Sequence, residues 1–145
     1  MNKSKITTFL LTGVIALTLW AASGSKVYAE SNLPTAKIHL TQAKAMLSLA
    51  QNLFENKPIA EAHLNSTESF LELAKEQLLD AEDNKGGHRR QAINDTQTAI
   101  RAINKAKTAT AKNRYENKID KAITFVDKAM SEIDEGIAHV AVNNN

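Results

Sequence analysis

Residues 88–111 read HRRQAINDTQTAIRAINKAKTATA, and the spacing of their apolar members decides the fold. Ala92, Thr96, Ala99, Ile103, Ala106 and Thr110 recur at alternating steps of four and three, flanked by Ile93 and Ile100. Such steps place side chains on one stripe of an α-helix, whereas a half-buried strand alternates at every second residue. Thirty residues later the series returns as Ala122, Val126, Ala129, Ile133 and Gly136, flanked by Ile119, Ile123, Met130, Ile137 and Val140. A constant offset over so many positions points to duplication of a helical unit; heptad bias in an Ala-rich composition is the alternative.

Working outward, the same periodicity predicts four helices, over residues 35–56, 59–83, 88–111 and 115–142. The first has Pro34 near its start, carries Ile38, Ala45, Met46, Leu49 and Leu53 on its expected core stripe, and is ended by Lys57-Pro58. The second buries Leu64, Thr67, Phe70, Leu71, Ala74, Leu78 and Ala81 and stops at Asn84-Lys85-Gly86-Gly87, the strongest breaker in the chain. A second echo joins these two helices. His39-Leu40 followed by Met46-Leu47-Ser48-Leu49-Ala50 recurs as His63-Leu64 followed by Phe70-Leu71-Glu72-Leu73-Ala74. Short linkers make neighbouring helices antiparallel, so the expected fold is an all-α, up-down-up-down four-helix bundle over residues 30–142, built from hairpins 34–83 and 88–142. Residues 143–145 are expected to be a disordered tail.

The N-terminus reads as a secretory signal peptide over residues 1–29. A basic Met1-Asn2-Lys3-Ser4-Lys5 precedes residues 6–22, which carry no charge, and Val27-Tyr28-Ala29 offers a cleavage site before Glu30. The densest apolar stretch, residues 9–20, is short for a ~30 Å hydrocarbon core, which favours a cleaved leader over a retained anchor. The expected location is therefore secreted or periplasmic, with membrane contact only through an uncleaved leader. No cysteine occurs in the chain, which excludes a lipoprotein anchor, disulfides and thiolate metal sites. Cleavage would remove Lys3, Lys5 and Lys26 and no acid, turning the formal charge of +2 into −1, so the basic whole-chain balance is no argument for nucleic-acid binding.

Charge alternates along the mature chain. A basic third helix lies between two acidic ones, which predicts complementary edges that set register at a few tenths of a kcal/mol per exposed pair. Its cations Arg89, Arg90, Arg101, Lys105 and Lys107 are alternatively a face for a polyanion or an anionic membrane. Two arginines at a helix N-terminus oppose the helix dipole, a local conflict that packing alone does not explain.

Phosphate loops, dinucleotide fingerprints, nucleophile elbows, His-Glu-x-x-His helices and paired Glu-x-x-His helices are all missing from the chain, so an enzyme is not expected. The imidazoles His39, His63, His88 and His139 are the places to look for a metal. With the second hairpin turning near residue 113, positions 88 and 139 fall at one height, and Glu135 shares a helix face with His139. His88, His139 and Glu135 thus form a candidate site for Zn²⁺, Cu²⁺ or Ni²⁺, with Glu82 and Asp83 expected nearby, His39 about seven residues away and His63 at the opposite end. No cofactor is demanded. Gly86 is expected to take positive φ, and Gly87 to let the backbone reverse closely.

The segment Asp83-Asn84-Lys85-Gly86-Gly87-His88-Arg89-Arg90-Gln91-Ala92-Ile93 resembles the Gly-Gly-His-Arg turn of small exported bacterial helical-hairpin proteins, mostly uncharacterised, over some fifty residues. More loosely, the exported Ala-rich bundle of repeated helices is similar to a family of small periplasmic metal-binding proteins. That similarity implies divalent-metal and copper binding by histidines, although this chain has four histidines where that family has a dense repeat. The function expected from all of this is an exported, monomeric or weakly dimeric binding or interaction protein, with low-stoichiometry Cu²⁺ or Zn²⁺ binding as the alternative.

Overall fold

The computed structural model describes residues 28–81 and 86–143; residues 1–27 of the leader expected over 1–29, residues 82–85 with the acids Glu82 and Asp83, and residues 144–145 lie outside the described residues. Four helices form the described part: α1 Tyr28–Ala50, α2 Lys57–Asp80, α3 His88–Lys107 and α4 Lys112–Asn143. Each packs on two others, α1 on α2 and α4, α3 on α2 and α4, which closes a four-helix bundle. Side-chain pairs fix the directions. Lys37–Asp134 and Lys44–Asp127 bridge α1 to α4, and Gln51–Asp120 continues the series one residue past α1, one residue number rising by seven as the other falls by seven, which only antiparallel helices can do.

The duplicated series forms the core. Ala92, Thr96, Ala99, Ile103 and Ala106 of α3 are buried, as are Ala122, Val126, Ala129, Ile133 and Gly136 of α4. In α2, Leu64, Thr67, Leu71, Ala74 and Leu78 are buried as expected and Phe70 is half-buried. Buried Thr67 and Thr96 donate their hydroxyls, each at 2.8 Å, to the carbonyls of His63 and Ala92 one turn back, so these polar groups enter the core satisfied.

Helix α1 departs from expectation in both extent and phase. It begins at Tyr28, takes Pro34 into its interior and ends at Ala50, leaving residues 51–56 as consecutive turns. Its buried stripe is Leu33, Ala36, Leu40, Ala43, Leu47 and Ala50, whereas Ile38 and Leu49 are more than half exposed and Ala45 is exposed. The flanks decide this. Lys37 and Lys44 must lie beside the aspartates of α4, and buried His39 stacks on Phe70 of α2 with ring centroids 6.4 Å apart, so the core stripe is the one between them.

Smaller corrections follow the same physics. Lys57-Pro58 opens α2 rather than closing α1, because proline fits the first helical turn, whose N–H groups have no intrahelical partner anyway. Helix α2 stops at Asp80. Helix α3 ends at Lys107, leaving Thr110 exposed in the linker, and α4 starts at Lys112 and includes Asn143, which was expected in the tail. Tyr115 donates its hydroxyl to the Ala50 carbonyl at 2.7 Å and packs on Phe54, capping the open C-terminal end of α1.

Candidate metal centre

The end of the bundle where α2 gives way to α3 carries the chemistry. Gly87, with φ +74°, precedes α3 in the left-handed region that L side chains avoid. Gly86 has a different reason to be glycine: a Cβ there would lie 2.6 Å from Cδ2 and 2.8 Å from Nε2 of His88. The expected division of labour between the two glycines is therefore reversed. Positive φ belongs to Gly87, and close approach belongs to Gly86, by an imidazole rather than by backbone.

The missing Cβ lets the His88 ring lie over the turn with Nδ1 aimed at α4. There it meets Glu132 Oε2 at 2.8 Å and Glu135 Oε2 at 3.5 Å. An ionised carboxylate only accepts, so Nδ1–H donates to Glu132. His88 and Glu132 are each about one-fifth exposed, while Glu135 is open to solvent. One ligand atom from each of the three lies within 4.8 Å of the other two. Asp95, two turns along α3, adds negative charge beside them. Burial raises its pKa above the ordinary carboxylate value, Lys128 opposes the rise and Glu132 adds to it.

Of the residues expected from sequence, His88 and Glu135 come together and His139 stands one step away, its ring centroid 6.3 Å from that of His88 and tilted by 58°. Glu132 takes the place given to His139. It lies seven residues before His139 on the same helix face, and that spacing is the signal that could have found it. His39 is buried between α1 and α2 with Nδ1 3.2 Å from Gln42 Oε1, and His63 lies on α2, far along the bundle from His88; neither belongs to the group.

The arginine conflict at the start of α3 resolves for Arg89. Its Nη1 donates to the carbonyls of Ala81 at 2.7 Å and Leu79 at 3.2 Å, so a cation at one helix N-terminus serves as the cap of the preceding helix's C-terminus, where positive charge is favourable. At the other end of α3, Lys107 pairs with Glu68 of α2; that hydrogen bond, opposed by burial and helped by Asn104, holds the Glu68 carboxyl below its usual range. The expected basic face thus divides. Arg89 and Lys107 are engaged with α2, while Arg90, Arg101 and Lys105 remain exposed.

No protein-family model, curated protein or solved structure matches the chain.

Proposed function

We propose that this protein is an exported, non-enzymatic binding protein whose ligand is a divalent transition-metal ion, held by His88, Glu132 and Glu135. The observation that carries the reading is the convergence of one imidazole nitrogen and two carboxylate oxygens, from two helices, within 4.8 Å of one another. Around a tetrahedral ion with ligand bonds of ~2.0–2.1 Å, neighbouring ligand atoms stand about 3.3 Å apart, so no pair has to close by more than about 1.5 Å. Solvent-exposed Glu135 has room to make that movement. Mixed imidazole and carboxylate donors suit Zn²⁺, Cu²⁺ and Ni²⁺, and three protein ligands leave a fourth position for water or for His139. Asp95 strengthens the local negative potential without needing to touch the ion. Binding through Nδ1 needs that nitrogen's lone pair, so the ion would displace the hydrogen bond that Glu132 now accepts.

Calorimetric titration of the protein with Zn²⁺ and with Cu²⁺ tests this. The expected result is one ion per chain, with affinity at least tenfold weaker in Glu132→Gln and lost in His88→Ala. Binding no tighter than tens of micromolar, or binding unaffected by both substitutions, would overturn it.

A further inference from the structure

Helix α4 turns its aspartates to one side, while Glu132 and Glu135 face His88 of α3. Asp120 reaches Gln51 just past α1, and Asp127 and Asp134 reach Lys44 and Lys37 of α1. Its lysines gather toward α3. Lys121 and Lys128 hold their ammonium groups 5.7 and 4.9 Å from the ring centroid of half-buried Phe125, and Lys128 is near enough to Asp95 of α3 to pull its pKa downward. Lys118 lies one turn before Lys121. From α3 come exposed Arg101 and Lys105, which the antiparallel register set by His88 and Glu132 brings level with Lys121 and Lys118, to within about one ~5 Å helical turn. Among the described residues no carboxylate forms an ion pair with any of these five cations. Like charges gathered along two neighbouring helices repel one another, partly offset where Lys128 faces Asp95, and in a chain of formal charge only +2 this is a local concentration rather than a general excess.

We propose that the groove between α3 and α4 binds a linear polyanion of repeating phosphate groups. A row of ammonium groups on α4, with exposed Arg101 and Lys105 of α3 at the same height, suits a thread of charge. The phenyl ring of Phe125 serves as a cation–π anchor that holds two lysines side by side. A bilayer fits less well, because the exposed apolar side chains Ile38, Leu49, Ile59, Leu73 and Leu79 lie on α1 and α2, and the two on α4, Ile137 and Val142, lie more than two turns beyond Lys128, whereas membrane-surface helices need apolar and cationic groups along the same stretch. Single-stranded nucleic acid would want open aromatic faces for its bases, and two ammonium groups already attend this ring. The proposal is independent of metal binding, which uses the acidic end beyond Lys128.

The test is titration of the full chain with long-chain inorganic polyphosphate over a range of NaCl concentrations. Affinity is expected to fall linearly on a log–log plot against salt. The double variant Lys121→Gln, Lys128→Gln is expected to bind at least tenfold more weakly and to lower the slope by about 2, one for each phosphate contact removed. The control Lys37→Gln, Lys44→Gln removes the same charge from the α1 side and is expected to bind like the parent, with circular dichroism confirming helix content in every variant. Failure to bind polyphosphate at low salt would overturn the proposal. So would equal weakening in the control, or preferential binding to phosphatidylglycerol vesicles or single-stranded DNA.

Discussion

Replacing each glycine of the Gly86-Gly87 pair by alanine in turn separates the two jobs that the turn performs. In Gly86→Ala the new methyl would start 2.6 Å from Cδ2 and 2.8 Å from Nε2 of His88, well inside van der Waals contact, so the ring must swing away. Moving it stretches or breaks the 2.8 Å bond from Nδ1 to Glu132. A hydrogen bond to a charged group is worth about 1.5–3 kcal/mol, of which about 0.4–1 kcal/mol is recovered by the stiffer unfolded chain, so stability falls by about 1–2 kcal/mol. Metal affinity falls by more, because the imidazole has left the position where the carboxylates converge; a factor of ten to a hundred corresponds to about 1.4–2.8 kcal/mol. In Gly87→Ala nothing lies within 4 Å of the new Cβ, but the φ of +74° costs an L-residue about 1–2 kcal/mol. That variant should lose about 5–10 °C in Tm while binding metal like the parent. Thermal melts and zinc calorimetry on both variants make the comparison. Parental zinc affinity in Gly86→Ala, or an equal loss of affinity in Gly87→Ala, would refute the idea that Gly86 exists to seat the imidazole.

Other perturbations reach the rest of the bundle. Leu47→Ala, at a buried position, should cost about 2–5 kcal/mol in urea denaturation, while Leu49→Ala, at a position 54 % exposed, should stay within about 0.5 kcal/mol. Tyr115→Phe removes the hydroxyl that satisfies the Ala50 carbonyl and should destabilise by about 1–2 kcal/mol. A double-mutant cycle on Lys44 and Asp127, both more than two-fifths exposed, should return a coupling below about 1 kcal/mol that shrinks in high salt. For Asp95 the folded pKa is raised, by burial first, against Lys128 and with Glu132 adding, so the ionised carboxylate penalises the folded state above that pKa and the penalty vanishes once both states are protonated. Asp95→Asn should therefore raise Tm at neutral pH and leave it unchanged near pH 3, below the ordinary carboxylate range of ~4.

The periodicity of α3 and α4 identified most of their core residues, adding exposed Thr110 and passing over buried Ala102 and Tyr115, because each helix has one apolar stripe and a polar remainder. Helix α1 is apolar on two sides, Leu40 and Leu47 on one and Ile38 and Leu49 on the other, and hydrophobicity alone does not choose between them. The echo between the first two helices does. Carrying the buried Leu64, Thr67, Leu71 and Ala74 of α2 back by the constant offset of 24 gives Leu40, Ala43, Leu47 and Ala50, which are the buried residues of α1. Repetition in a chain therefore carries phase as well as length, and a stripe secured in one copy fixes the ambiguous stripe in the other.

The partner of His88 was displaced for a related reason, which shows how sharply an antiparallel hairpin converts turn position into chemistry. Expectation ran α3 to residue 111 and began α4 at 115, whereas the helices stop at Lys107 and start at Lys112. Ending one helix four residues early and beginning the next three residues early moves the residue opposite a given position by seven, one heptad, which keeps the same face and changes only the height. His139 minus one heptad is Glu132, the residue that meets His88 at 2.8 Å. Because the error was a whole heptad, every core residue of α4 kept its inward face and the apolar pattern gave no warning. Linker length in such a bundle selects which polar side chains meet while leaving the core unchanged. Inserting seven residues, two turns of helix, at the C-terminal end of α3 would shift the facing register by one heptad while preserving the faces, and should move the partner of His88 from Glu132 to His139. Zinc affinity and the pH dependence of binding in that insertion variant would then report a histidine pair. If the variant retained binding that still depended on Glu132, the geometry of the turn, rather than helix register, would be what aims His88.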